Sequence, residues 1–413
     1  MANSDYDIVI AGGGIVGCAA ALALSNATSY SIAVIEAFET EAKAENNEKV
    51  KKGESAKTTI MHPSFDARVV ALAKESFKQL NQFGIGLNEQ AVDCCPIKHI
   101  HVSDRGHLGQ VQLQQSNNQD TEDDLGYVVS LAELGQQMLA QLKHTNVDYL
   151  CPEKITSLVR SQDKTDLQLS NKTISAKLVL IAEGGQSPSR EMFGLSASVE
   201  EYAQSAIIAN VITQLPHNNS AFERFTSQGP IALLPMQTDA GNQMSLVWTI
   251  DQDKTDDVMA LGEAEFLNKL QQLFGDKLGR FQAASTRYAY PLSLMQVKQF
   301  AAHRVICLGN AAQSLHPIAG QGFNLGIRDI KGLLDILAGK GKEADPGEFS
   351  VINAYKKVRT QDKESVIAAT DALVRVFSNQ YLPFTISRNL SLIALNHNSA
   401  LKNSLASFAM GER

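Results

Sequence analysis

Residues 5–24 read DYDIVIAGGGIVGCAAALAL, and the predicted architecture depends on this stretch. The apolar run that ends at Ala11 predicts a buried parallel strand, and the glycines after it open a helix that continues to Leu24. A second buried strand, SIAVIE, ends at Glu36. A strand, a glycine turn, a helix and a second strand make a βαβ unit, which predicts a Rossmann-like α/β domain.

Gly12, Gly14 and Gly17 form a Gly-x-Gly-x-x-Gly motif between the first strand and the first helix. The first glycine permits the turn, the second lets a pyrophosphate approach the backbone, and the third lets the helix pack closely on the strand. Glu36 stands 19 residues after Gly17, where a carboxylate can accept hydrogen bonds from both ribose hydroxyls of an adenosine. The motif predicts a dinucleotide site, with a plain tight turn as the alternative, and it does not separate NAD from FAD.

Two more glycine-rich turns follow apolar strands. AEGGQSPSR, residues 182–190, predicts a ligand-facing turn, with a β-turn and a helix cap at Ser187 or Ser189 as the alternative. GNAAQSLHPIAGQGFNLG, residues 309–326, places Asn310 at the carboxyl edge of the sheet, where α/β proteins bind ligands. The later glycines of this stretch open a helix whose free N–H groups and positive dipole end face that edge. A dinucleotide with a pyrophosphate at one turn and a flat redox ring at another needs both turns, which favours FAD.

The composition is that of a folded protein and limits the classes of function. The 413 residues are 44% hydrophobic and 20% charged, and a net charge of −7 with scattered basic residues argues against nucleic-acid binding. The five cysteines have no Cys-x-x-Cys spacing, which predicts buried free thiols and no metal site: Cys18, Cys94, Cys95, Cys151 and Cys307. The N-terminus does not resemble a signal peptide, and no window approaches the ~18 apolar residues of a membrane-spanning helix. We therefore expect a cytoplasmic protein with at most peripheral membrane contact.

The rest of the pattern predicts an α/β frame that carries an inserted, mainly antiparallel sheet. The predicted segments are a solvated polar loop at 39–59, helices at 66–83 and 131–144, a β-meander at 147–182, the inserted sheet at about 203–290 with one helix near 263–274, a helix at 322–337 and a helical C-terminal region.

The three glycine turns together resemble those of the flavoprotein aromatic hydroxylases, the para-hydroxybenzoate hydroxylase group. GGGIVG, AEGGQSPSR and GNAAQSLHPIAGQGFN occur in the family's order, and HPIAGQGFNLG, residues 316–326, is similar to the ubiquinone-biosynthesis branch. FDARVVALA, HVSDRGHLGQV, AFERFTSQGPIALLPM and RNLSLIALNHNSALKNSLASFAMG extend the resemblance over nearly the whole chain. The resemblance implies a domain division: 1–202 for the first part of the FAD-binding domain with a short substrate-side segment near 84–125, 203–295 for the substrate domain, 296–345 for the second part, and 346–413 for a C-terminal helical region.

Three positions depart from the broader family. Glu183 and Asn310 stand where the family has aspartates, and Gln313 stands where it has a histidine. An asparagine oxygen can still accept a hydrogen bond from the flavin's ribityl chain, so we expect weaker flavin binding rather than none. A general-acid role for Gln313 is not expected. The same replacements resemble one subgroup of the ubiquinone-biosynthesis branch.

The resemblance implies a monooxygenase in which NADPH or NADH reduces FAD and a C4a-hydroperoxyflavin then hydroxylates the ring of a polyprenylated phenol. By family position Arg68 contacts the FAD phosphates or the flavin edge, with a surface ion pair to Asp66 as the alternative, and Arg190 has the same ambiguity. Pro317 lies near the reactive side of the ring, and His316 is a candidate proton donor with a structural role as the alternative. The implied cofactor-binding residues are Gly12, Gly14, Ile15, Val16, Gly17, Glu36, Arg68, Glu183, Gly184, Gly309, Asn310, Pro317, Gly320, Gln321, Gly322, Phe323 and Asn324.

The other implied contacts are less sharply defined. The nicotinamide cofactor binds transiently near Glu183 and Gly184, because the chain has no second Gly-x-Gly-x-x-Gly unit. Candidate walls of the substrate pocket, each with a core role as the alternative, are Phe225, Leu234, Met236 and Trp248. The C-terminal helices, with Arg388 and Lys402, are a candidate membrane contact or simply part of the core.

Three alternative functions remain open at this point. The first is an NAD-dependent dehydrogenase, and the second is a flavin-binding component of a quinone-synthesis complex without turnover. The third is a sister hydroxylase that acts on another ring position or another phenol, because the position attacked depends on ångström-scale placement of the substrate.

Overall fold

The computed structural model describes residues 4–39, 68–87, 92–114, 124–317, 320–341, 343–378, 389, 391–392 and 394–411. Most of the predicted 39–59 loop, together with Asp66, Ile318, Ala319 and Arg388, lies outside these described residues. In the described part of the chain, no helix is long and apolar enough to cross a lipid bilayer.

A parallel sheet forms the centre of the molecule and confirms the predicted Rossmann-like frame. Its strand order is β18-β19-β11-β1-β2-β8, and the five strands from β19 to β8 run parallel. The strands are β1 (Ser4–Ala11), β2 (Ile32–Ile35), β8 (Asp148–Leu150), β11 (Thr173–Ile181), β18 (Ala301–Ala302) and β19 (Val305–Cys307), and β9 (Ser157–Arg160) and β10 (Thr165–Gln168) extend β11 on one side.

The helix α1 (Ile15–Ala27) follows β1 and is apolar on every side, as expected for a helix enclosed by other elements. It packs between the sheet and two further helices, α3 (Leu131–Leu142) and α7 (Gln321–Leu337). The predicted helices at 131–144 and 322–337 are therefore confirmed within one or two residues.

A second, mainly antiparallel sheet has the order β20-β17-β12-β15-β14-β13-β5-β6 and confirms the inserted sheet. Its strands are β5 (His99–Asp104), β6 (Gln110–Gln114), β12 (Ser198–Thr213), β13 (Ser220–Thr226), β14 (Gly229–Pro235), β15 (Gln243–Asp251), β16 (Phe281–Ala284), which pairs with β12, β17 (Tyr288–Gln296) and β20 (Gln313–Ser314). Two helices, α5 (Thr255–Ala260) and α6 (Glu263–Phe274), cover one face of this sheet. The strands β5 and β6 come from an earlier part of the chain, and the exact domain boundaries stay a prediction.

The prediction of one helix over 66–83 is wrong. Residues Val69–Ala73 form the strand β3, and α2 begins only at Lys74 and ends at Gln82. The strand pairs antiparallel with β7 (Gly126–Ser130), which also pairs with β4 (Cys94–Ile97). Two adjacent β-branched valines favour a strand once a partner is available, and that partner lies far along the chain.

The remaining helices are α4 (Pro188–Met192), α8 (Phe349–Ser378) and α9 (Ser399–Met410). The long α8 packs on α7 and β18 and reaches the second sheet at β13 and β14. It therefore contacts both sheets.

Candidate functional site

The three glycine-rich turns lie at one edge of the parallel sheet because their strands are neighbours. The turns follow β1, β11 and β19, and Glu36 follows β2. Backbone hydrogen bonds continue past the strand ends: Ala182 donates to Ala11 at 2.7 Å, and Leu308 donates to Ile181 at 2.9 Å. Parallel strands present their carboxyl ends at the same edge, so residues about 300 positions apart meet there.

Close backbone packing explains the first turn. Gly12 has φ +106°, and a Cβ atom there would lie 2.7 Å from the carbonyl oxygen of Ala182. A Cβ atom on Gly17 would overlap the carbonyl oxygen of Gly12. Both positions therefore require glycine, one for the turn and one for contact between helix and strand.

The helices α1 and α7 begin at glycines, which provide no side-chain cap. Their N-cap residues are Gly14 and Gly320, and neither helix has an acidic residue in its first turn. At the start of α3, by contrast, Ser130 accepts a hydrogen bond from the N–H of Glu133 at 3.4 Å. The helices α2 and α5 also lack a side-chain cap, but each has at least one acidic residue in its first turn. Uncapped N–H groups and the positive end of the helix dipole suit a pyrophosphate or another anionic group.

The carboxylate of Glu36 is held beside the first turn. It is buried, and its two oxygens accept hydrogen bonds from the backbone N–H of Gly13 at 2.6 Å and of Phe38 at 2.7 Å. Each carboxylate oxygen has lone pairs for more than one donor. The group is thus oriented in the way that recognition of ribose hydroxyls requires.

The second turn is organised by its own side chains. Glu183 accepts hydrogen bonds from the hydroxyl of Ser187 at 2.6 Å and from the hydroxyl and backbone N–H of Ser189 at 2.7 and 3.0 Å. Ser187 also caps α4, as the alternative interpretation predicted. In this structure Glu183 therefore shapes the turn, while Gly184 has φ +83° and open space where a Cβ atom would stand.

Arg190 joins the second turn to the third. Its guanidinium is buried and donates to the carbonyl oxygens of Gly185 at 2.9 Å and Ala311 at 3.2 Å. The alternative of a surface ion pair is wrong for this residue, because both turns enclose the side chain. The sequence shows an arginine after a glycine turn but not the carbonyl groups that it will meet.

The third turn packs directly on the first helix. Gly309 has φ +56°, and a Cβ atom there would lie 3.0 Å from Cγ2 of Val16. Gly326 of α7 is as close, since its Cβ atom would lie 3.3 Å from Cα of Gly309. Asn310 is exposed at the end of β19, and Gly322 has open space where a Cβ atom would stand.

A buried charge network lies behind the third turn, and sequence analysis did not identify it. Asp329 of α7 is 0% exposed and accepts hydrogen bonds from the backbone of Gly309 at 3.1 Å and from Gln313 at 3.2 Å. Arg359 and Lys363 of α8 approach the other oxygen at 2.9 and 3.3 Å. Burial alone would raise the pKa of Asp329, but the two cations keep it below its ordinary value. In the sequence, the available signal for this network was one acidic residue on the apolar face of α7.

Asn324 connects the start of α7 to β3. Its amide oxygen accepts from the N–H of Ala73 at 2.9 Å, and its amide nitrogen donates to the carbonyls of Ala71 at 3.1 Å and Gly320 at 2.8 Å. Its side chain thus positions the helix start. Just before β3, the guanidinium of Arg68 lies 5.5 Å from the ring centroid of Tyr290 on the second sheet.

His316 is enclosed rather than open to a ligand. It is 1% exposed, and its ring meets the ring of Tyr202 edge-on at 5.4 Å. Burial lowers the pKa of His316 to about 4, so the imidazole is neutral near pH 7. This supports its structural role over proton donation. Pro317 and Phe323 are partly exposed, whereas Gln321 is buried.

The second sheet presents two different faces. Trp248 is fully buried and packs on Phe266 of α6, so it faces away from the glycine turns and forms core. Leu234 points to the opposite face, which we call the inner face, and packs in one apolar cluster with Val69 and Ala71 of β3. Phe225 is buried, and Met236 follows the end of β14 and is partly exposed. Of the candidate wall residues, Trp248 therefore belongs to the core against α6, whereas Leu234 lies on the inner face.

Comparisons with known proteins agree with this geometry. The family described as FAD binding domain matches residues 5–370. The chain is 32% identical to ubiquinone hydroxylase UbiL of Rhodospirillum rubrum, over 99% of this chain and 90% of the relative. It is 28% identical to 3-demethoxyubiquinol 3-hydroxylase of Escherichia coli, over 100% of both chains. The fold is similar to that of p-nitrophenol 4-monooxygenase PnpA of Pseudomonas putida, with a TM-score of 0.76, 17% identity, and coverage of 100% of this chain and 99% of the other.

Proposed function

We propose, on the premise that this chain belongs to the FAD binding domain family and is an FAD-dependent monooxygenase, that it hydroxylates the ring of a polyprenylated phenol in ubiquinone biosynthesis. Full-length similarity to relatives named for ubiquinone hydroxylation carries this proposal. Because the chain belongs to this family, the alternative of an NAD-dependent dehydrogenase is set aside. Because it is a monooxygenase, the alternative of a component without turnover is set aside as well.

In this proposal the FAD lies along the shared edge of the three turns. The N–H groups that begin α1 at Gly14, Ile15 and Val16 bind the pyrophosphate, and the carboxylate of Glu36 binds the adenosine ribose. The start of α7, from Gly320 to Asn324, faces the flavin ring. Both helix starts have a glycine N-cap and no acidic residue in the first turn, and this supports the placement, because such a start favours an anionic group.

Bound FAD would supply electron transfer from NADPH or NADH and the activation of dioxygen for hydroxylation of the phenol ring. The start of α7 would stabilise negative charge on the flavin ring, because its N–H groups are already oriented. Asn310, exposed at the sheet edge, accepts a hydrogen bond from the ribityl chain. We place the phenol between the start of α7 and the inner face, whose apolar residues Leu234 and Val102 suit a prenyl tail.

The first candidate substrate is 2-octaprenyl-6-methoxyphenol, because the third turn and its Asn310 resemble that subgroup. The second candidate is 3-demethoxyubiquinol, because a relative that this chain matches over the whole of both sequences is named for that substrate. Both are prenylated phenols that partition into lipid, so we also propose that the chain meets its substrate at a membrane surface.

Deletion of the gene followed by lipid analysis tests the proposal. Accumulation of a prenylated methoxyphenol supports the first candidate, and accumulation of 3-demethoxyubiquinol supports the second. Expression of the wild-type chain should restore the quinone in either case. An unchanged quinone pool in the deletion strain contradicts the proposed function.

A further inference from the structure

Glu223 carries a carboxyl group on the inner face of the second sheet. Its neighbour Phe222 packs against the ring of Phe274 in α6, and successive side chains of a strand point to opposite faces. Glu223 therefore points away from α6. Its cross-strand partners on the same face are Ala232 of β14 and Val102 of β5, both apolar.

The inner face reaches the start of α7 through β3. Val102, the cross-strand partner of Glu223, and Ala221, two residues earlier in β13, belong to the apolar cluster that contains Ala71. Ala71 in turn lies against α7, because its carbonyl accepts the hydrogen bond from Asn324. One strand thus contacts both the surface that carries Glu223 and the helix start at which we place the flavin ring.

The carboxyl group has no polar partner among the described residues. Its side chain forms no hydrogen bond or ion pair with any of them, although it is partly buried. Burial raises the pKa of Glu223 to about 7, with no contribution from a described charged group. A carboxyl group in apolar surroundings costs folding free energy, and a group shifted in this way is a candidate for a functional site.

We propose that Glu223 is the catalytic base that accepts the proton of the substrate's phenol hydroxyl, an inference that rests on the proposed function. The phenol O–H bond breaks, its proton passes to a carboxylate oxygen of Glu223, and its electron pair stays on the phenolate oxygen. Delocalisation of that pair makes the ring carbons more electron-rich. The ring then attacks the electrophilic oxygen that the monooxygenase activity supplies.

Two substitutions at this position separate a base from a structural carboxyl group. Glu223→Gln keeps the shape and hydrogen-bonding capacity but cannot accept a proton, whereas Glu223→Asp keeps the carboxylate. Asp257→Asn is the matched control, because it removes an exposed carboxylate from α5, on the opposite face of the sheet. Flavin content and the rate of flavin reduction by NADPH or NADH show that each variant is folded and loaded.

The measurement is hydroxylation of a short-chain prenylated methoxyphenol and of ring-fluorinated analogues with more acidic hydroxyls. Loss of a general base lowers kcat/KM by about 100-fold, so we expect this for Glu223→Gln with flavin content unchanged. The defect should shrink as the phenol becomes more acidic, because a phenol that ionises in solution needs no base. Glu223→Asp should recover at least part of the rate, and Asp257→Asn should match the wild type.

The outcomes distinguish this inference from the function on which it rests. Suppose that the wild type hydroxylates the phenol. A Glu223→Gln variant whose kcat/KM lies within twofold of the wild type, or whose defect does not depend on phenol acidity, then overturns the role of Glu223 and leaves the proposed function intact. A flavin-loaded wild-type protein that hydroxylates no prenylated phenol overturns the proposed function and the role of Glu223 with it.

Discussion

The backbone N–H of Gly309 donates a hydrogen bond to the carboxylate of Asp329 at 3.1 Å, inside the core. Gly309 begins the third glycine turn, and Asp329 lies at the middle of α7. The carboxylate is also held by Arg359 of α8. The turn at which we place the flavin is therefore anchored by charges that belong to two helices behind it.

Removal of the charge at Asp329 should destabilise the protein strongly. Asp329→Asn leaves Lys363 buried without its counter-charge and leaves Arg359 with Asp362 as its remaining carboxylate partner. Breaking a buried pair in this way costs about 3–5 kcal/mol. Urea unfolding measures this change in the free energy of unfolding. The control is Asp335→Asn on the same helix, whose exposed ion pair with Lys331 is worth about 1 kcal/mol or less. Equal effects of the two substitutions would show that the buried network does not stabilise this turn.

A side chain at the start of α1 should abolish flavin binding. Gly14→Glu places a carboxylate where we propose that the pyrophosphate binds, so the purified variant should be colourless. The flavin-to-protein ratio from the visible absorption spectrum measures this loss. Gly339→Glu, at an exposed glycine beyond the end of α7 with open space around it, should stay yellow. A yellow Gly14→Glu variant with normal FAD content would place the pyrophosphate elsewhere.

Restoring the family's carboxylate at position 310 should strengthen flavin binding. Asn310 is exposed, so Asn310→Asp changes the hydrogen-bond acceptor without disturbing the core. A charged acceptor adds about 1 kcal/mol over a neutral one, which is about a fivefold lower Kd for FAD. Titration of the apoprotein with FAD by flavin fluorescence measures the Kd. Asn310→Ala should change it in the opposite direction, and identical Kd values for all three proteins would exclude this contact.

Protonation of His316 should destabilise the fold in mild acid. Its pKa is lowered to about 4 in the folded state from the ordinary 6.5, so the unfolded chain binds the proton first as pH falls. The free energy of unfolding should therefore decrease by about 1.4 kcal/mol per pH unit between those two values, and level off below them. In His316→Gln this contribution disappears, so the difference between the two pH profiles isolates it. His144→Gln, at an exposed position, should keep the wild-type slope, and parallel profiles for wild type and His316→Gln would contradict the assignment.

Local patterns in the chain were sufficient to predict the frame and the position of the turns. The apolar run before Gly12, the run before Ala182 and the run before Gly309 each end in glycine within a few residues. Strands of this kind pair in parallel, and their carboxyl ends meet at one edge of the sheet regardless of which side chains the turns carry. The helix starts at Gly14 and Gly320 follow from the same local signals, because glycine position and helix periodicity are properties of adjacent residues.

The burial and the partners of individual side chains depended on contacts between distant parts of the chain. Arg190 meets the carbonyl of Ala311, Asp329 meets Arg359, and Val69–Ala73 forms a strand because β7 is beside it. Glu223 is isolated only because the residues that surround it come from other strands. A residue's neighbours along the chain predict its local backbone conformation, whereas burial and partners arise when segments far apart in sequence pack together and exclude water. Sequence patterns therefore located the turns of this protein, and packing determined which polar groups bind the protein itself and which remain for a ligand.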